Sequence, residues 1–73
     1  MENVVLGLSN CYTISGPISN VDKAKKLVEE INNEMEVVYN EFGGDGSRAM
    51  DERDDVVYEY ETQLSEIGWT IDE

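Results

Sequence analysis

From Val21 to Phe42 the apolar residues fall at Val21, Ala24, Val28, Ile31, Met35, Val38 and Phe42, three and four positions apart in alternation. That spacing lines one face of an α-helix and repeats as a heptad. It predicts a helix over about 20–42, with Ser19 or Asn20 offering a side-chain acceptor to its first amides. Gly43-Gly44-Asp45-Gly46 should end it, because glycine loses the most backbone freedom in a helix and readily turns left-handed. Met50, Val57, Tyr60, Leu64 and Ile67 then mark a second helix over about 47–67, interrupted by Arg53, capped by Ser47 and closed by Gly68.

Residues 3–15 have no helical period and are rich in β-branched types, which predicts strand. Ser9-Asn10 can turn a hairpin between Val4–Leu8 and Cys11–Ser15; the alternative is one longer strand with a bulge at Gly7. Gly16-Pro17 should stop the extended segment. Cys11 reads as a small apolar side chain within a strand. Two helices joined by a short glycine loop pack antiparallel, but a helical pair alone leaves apolar surface uncovered. The expectation is therefore an α+β fold: a two-helix hairpin (about 20–42 and 47–67) on a small antiparallel sheet. That sheet would use the N-terminal strands and the C-terminal tail, with Trp69 in the core and Tyr39 and Tyr60 in the core or at its border. The rival is a four-helix bundle made by two copies.

With 73 residues there is room for one domain, and a core this small rarely supplies more than ~3–5 kcal/mol of net stability. A single cysteine allows no internal disulfide, as expected of a cytoplasmic protein. The apolar run Val4–Leu8 is too short for a signal peptide or a membrane span, so the whole chain reads as the mature protein.

Charge narrows the function further. Seventeen Asp and Glu face five Lys and Arg, a net charge of −12 with no histidine. Such a surface repels nucleic acid and anionic lipid and attracts basic partners. Fifteen of the acids lie in residues 29–73, where only Arg48 and Arg53 oppose them. An antiparallel hairpin would bring Glu34, Glu36, Glu41, Asp45, Asp51, Glu52, Asp54 and Asp55 toward its glycine-loop end. Acids early in the second helix suit its dipole, but those late in the first do not. Lys25–Glu29 and Lys26–Glu30 are spaced for pairing in the weaker order.

Catalysis lacks its parts: there is no histidine, no nucleophile elbow and no room for a cleft that would raise one carboxylate's pKa. Soft-ligand metals lack imidazole or clustered thiolates. The loop has the outline of a degenerate calcium hand, with Glu41, Gly43 and Asp45 at the early ligand positions and Glu52 at the last. Glycine in place of one ligand, a longer glutamate in place of another, and Arg48 where an apolar residue belongs argue against it. Phosphate binding at the loop fails for want of a lysine and because the surrounding acids repel anions. No cofactor and no metal are expected.

Protein recognition remains. Carboxylates one helical turn apart, ~5–6 Å, can imitate a phosphate backbone and occupy a basic groove. Val37 and Tyr58, outside the heptad stripes, are the candidate apolar anchors, and Tyr58 among acids could receive a partner's cation. In size and charge the chain resembles small acidic inhibitors encoded by phages and other mobile elements, a resemblance of composition alone. The reading is a non-enzymatic inhibitor, a DNA mimic that occupies the basic surface of a nucleic-acid-binding protein, without direct nucleic acid or membrane contact. The alternative is a helical-hairpin oligomerisation module, a homodimer whose acids serve solubility.

Overall fold

Alternation along the first strand decides which way the sheet faces. In the computed structural model, which describes residues 2–43 and 46–72, β1 (Asn3–Gly7) turns Val4 and Leu6 inward and Val5 to solvent. It pairs antiparallel with β2 (Thr13–Pro17), Val4 opposite Gly16 and Leu6 opposite Ile14. The tail supplies β3 (Thr70–Asp72), antiparallel on the other side of β2, with Ile71 opposite Ile14. Order β1-β2-β3 thus gives one apolar inner face. The outer face is polar apart from Val5, and Ser15 Oγ donates to Asp72 Oδ2 at 3.1 Å.

The hairpin turns at residues 9–11, and Cys11 belongs to the turn rather than to a strand. Cys11 N–H bonds Leu8 O at 3.2 Å and Leu8 N–H bonds Tyr12 O at 2.8 Å, a three-residue loop. Such loops end in a left-handed residue. Cys11 fills that position at φ 73°, which leaves its thiol exposed instead of packed. The extended segment also runs through Gly16-Pro17 instead of stopping there. Pro17 is tolerated because it lies beyond the last pairing with β3, that of Ser15 with Thr70.

After one 3-10 turn (Ile18–Asn20), α1 (Val21–Glu41) buries Ala24, Ile31 and Met35. No side-chain cap serves its start. Asn20 Nδ2 instead donates to Ile67 O at 2.9 Å, tying the start of α1 to the end of the second helical segment. That segment is not one helix. It divides into α2 (Ser47–Glu59) and α3 (Glu61–Glu66), with Tyr60 at φ −96°, ψ 0° between them and its N–H on Val57 O. Gly46, not Ser47, holds the N-cap position of α2.

The buried stripe of α2 is also rotated from the heptad reading. Ala49, Val56 and Val57 are buried, whereas Met50 is 47% exposed. Arg53 is a member of this stripe rather than an interruption. Its stem lies along the core side and its guanidinium covers the Tyr39 ring at 5.3 Å. Phe42 at the far end of α1 is likewise half exposed, with the Arg48 guanidinium over its ring at 5.1 Å.

Gly68 closes α3 at φ 79°. Its N–H bonds Ser65 O and that of Trp69 bonds Leu64 O, a left-handed cap that turns the chain back toward the sheet. Trp69 then lies 1% exposed against Gly16, in the same core cluster as Ile14, Leu64 and the helix stripes. The described residues extend 42 × 18 × 16 Å. The sheet covers only part of that length, for its hairpin tip meets the helices at Asn32 and Asp54. From there α1 continues to Phe42, roughly 15 Å of helix without sheet beneath it.

A Cβ on Gly16 would overlap the Trp69 indole. Gly16→Ala should therefore destabilise the protein by ~1–3 kcal/mol, the usual range for overpacking. Urea unfolding followed by Trp69 fluorescence measures this, and an unchanged midpoint would contradict the packing.

Candidate functional site

Helical geometry sorts the acidic residues onto two sides. On α1, Glu30, Glu34, Val37 and Glu41 recur at helical spacing on the flank away from the sheet, and Glu52, Val56 and Glu59 do so on α2. Between them runs a groove of about 380 Å³ lined by Asn33, Glu34, Val37, Val38, Val56 and Glu59. It continues past Glu30, Tyr60 and Gln63. The floor is apolar and the rims are carboxylate.

The Tyr60 hydroxyl reports on this crowding. Its pKa is raised above the usual tyrosine value, first because burial disfavours the phenolate, and then because Glu34 repels it and accepts its hydrogen bond, with Glu30 and Glu59 adding repulsion. Glu34 is thus level with Tyr60, well along the hairpin and not at its loop end.

The sheet side is different in kind. Glu36 lines a recess with Ser9, Asn32, Tyr39, Asn40 and Arg53. Asp54 is engaged in holding the fold. Its Oδ1 accepts from Asn10 Nδ2 at 2.9 Å and lies 3.7 Å from Arg53 Nε, the one ion pair among the described residues. Asn10 is only 6% exposed, and its Oδ1 in turn accepts Tyr12 N–H, so Asp54 pins the hairpin loop to α2. Tyr58, 38% exposed, meets Tyr12 edge-on with ring centroids 6.3 Å apart. It faces a recess with Glu61, Ser65 and Trp69.

The two candidate anchors are therefore on different faces, Val37 over the groove and Tyr58 beside β3. The structure brings together Glu34, Glu41, Glu52 and Val37 along one flank. It sets Glu36, Asp54 and Tyr58 on the other, with Asp51 and Asp55 exposed on the outer side of α2. Asp45 lies outside the described residues. Glu30, Glu59 and Tyr60 were missed as groove residues; their helical register with Glu34 and Val56 was the available signal. The dipole accounts for less of the charge than the sequence suggested, since no acid lies in the first turn of α2, where such stabilisation is concentrated.

Among the described residues no three His, Cys, Asp or Glu side chains are placed to hold a metal ion, and no helix is long and apolar enough to cross a membrane. No protein-family model, curated protein or solved structure matches the chain.

Two outcomes separate structural from surface acids. Asp54→Ala strands the buried Asn10 amide and should cost ~1–3 kcal/mol in urea unfolding, whereas Asp51→Ala should stay within ~0.5 kcal/mol. Tyr60 supplies a pH signature. Its folded pKa is raised, so its contribution to stability is complete below the unfolded value of about 10 and is lost as pH rises through the folded one. Tyr60→Phe should accordingly flatten the alkaline loss of stability, and identical pH profiles for the two proteins would refute the assignment.

Proposed function

We propose that the protein is a non-enzymatic binding protein whose acidic helical hairpin occupies the basic, nucleic-acid-binding surface of another protein, as a phage-type inhibitor that mimics DNA would. The observation that carries this is the placement of carboxylates on rigid helices. Glu34 on α1 and Glu59 on α2 line the groove, Glu30 lines its continuation, and Glu41 and Glu52 fall in helical register with them, which would make two rows flanking a groove as phosphates do. The cytoplasm, where such targets are found, is the proposed compartment.

Opposed fields would steer association, and uncharged contacts would hold the complex once formed. Self-association through the heptad stripe has less to support it. Ala24, Ile31, Met35, Val57 and Leu64 are all buried within the single chain, and of the stripe's large side chains Phe42 and Met50 stand exposed.

The test uses the tagged chain as bait in host lysate at low and high salt, with mass spectrometry as readout. The expected result is a basic nucleic-acid-binding protein retained at low salt and displaced by competing DNA or RNA. Reversing Glu41, Asp51, Glu52 and Asp55 to lysine should slow its association at least ~10-fold, with a smaller change in dissociation and an unaltered circular dichroism spectrum. Binding that is indifferent to both ionic strength and charge reversal would end the proposal.

A further inference from the structure

The groove carries a more specific statement about the partner, one that rests on the binding role just proposed. Its floor is not what a purely electrostatic mimic needs. Val37 is 58% exposed, with Val38 and Val56 beside it, while every charged residue lining the groove is acidic. Cations come near only at the ends: Lys26 one turn before Glu30, and Arg48 one turn before Glu52 over Phe42. An open Val37 and a half-buried Val38 between glutamates, over a buried Val56, ask for a ligand that is apolar along its centre and cationic along both edges.

Shape selects among such ligands. The groove runs between two antiparallel helices, and a third helix seats in such a groove at ~8–10 Å from each axis. Cations spaced three and four residues apart on that helix recur every ~5–6 Å, the interval between Glu30 and Glu34 and about half that between Glu34 and Glu41. We infer that the groove docks a cationic amphipathic helix of the partner, its aliphatic stripe on Val37 and the half-buried Val38 and its arginines or lysines reaching Glu34 and Glu59. The apolar stripe fixes the register, and the carboxylates select the sign of the flanks.

The probe is a synthetic, fluorescently labelled peptide with leucines at helical spacing flanked by arginines. Its controls are a scrambled peptide of the same composition and an all-arginine peptide of the same charge. Binding to the 73-residue chain is read by anisotropy at two salt concentrations and by amide chemical shifts. The amphipathic peptide should bind at least ~10-fold more tightly than either control and shift the amides around Asn33, Val37 and Glu59. Val37→Ser should weaken it ~10-fold at both salt concentrations. Glu34→Gln with Glu59→Gln should weaken it ~10-fold at low salt only. Asp22→Asn with Glu66→Gln removes the same charge from exposed positions away from the groove and should cost no more than ~2-fold.

Equal binding of the scrambled or all-arginine peptide, equal loss in the two double variants, or shifts confined to the sheet side would overturn the helix-docking site. The wider reading fails separately. A lysate partner that is salt-sensitive and displaced by nucleic acid, yet indifferent to Val37→Ser and to the Glu34/Glu59 pair, would keep that reading and discard the groove. Peptide bound at the groove without any such partner would keep the groove and discard the nucleic-acid mimic.

Discussion

The Trp69 indole lies against Gly16, in space that only a residue without a side chain can leave open on the inner face of β2. Much of the molecule depends on this contact. It brings the C-terminal tail onto the central strand, which allows β3 to pair and completes the sheet from two distant parts of the sequence. It also belongs to the one core cluster that joins the sheet, through Ile14 and Leu8, to the helices, through Leu64. The left-handed cap at Gly68 aims the indole, and the Asn20 bond to Ile67 O holds the same corner from the other side. In a chain with so small a core, one large aromatic side chain contributes a substantial share of the buried area.

Anchoring the fold at one corner has consequences for the charge. The sheet and Trp69 stabilise the near end of the hairpin, and the Asn10–Asp54 contact secures its middle. The far end extends beyond the sheet, supported by helix packing and by the two arginines stacked on Phe42 and Tyr39. Both arginines of the chain are thus used on aromatic faces, and neither lines the groove between α1 and α2. Carboxylates of the same sign can gather there because Glu30, Glu34, Glu41 and Glu59 remain exposed, where water screens the repulsion that burial would make prohibitive. Tyr60 shows where that screening begins to fail: its hydroxyl sits close enough to Glu34, Glu30 and Glu59 to hold its proton more firmly.

Periodicity made the α+β architecture, the antiparallel sheet and the extent of α1 legible in the sequence, because each depends on local spacing and glycine placement. The three-strand sheet needed only the β-branched segments and an apolar tail with helices to cover. Local spacing misleads where long-range contacts decide the outcome. Arg53 was read as a break in a stripe because a charge looks exposed, yet Tyr39 across the hairpin gives its guanidinium a surface to cover. Cys11 was read as strand because nothing local shows that the turn would demand a left-handed residue there. Asp54 and Asp55 are neighbours of the same charge, and only the arrival of Asn10 from residues far upstream makes one a structural contact.

What the sequence determined by itself was the set of elements, the acidic surface and the residue types available to it, since hydrophobic period, glycine punctuation and net charge are properties of the chain alone. Only the tertiary structure decided which acids share a face. A carboxylate's neighbours across a helix pair are fixed by the rotation and register of two packed helices. Those follow from how Ala49, Val56, Val57 and Arg53 fit against Met35 and Tyr39, and not from any spacing within one helix. Val37 and Tyr58 looked equivalent along the chain and stand on different faces for that reason.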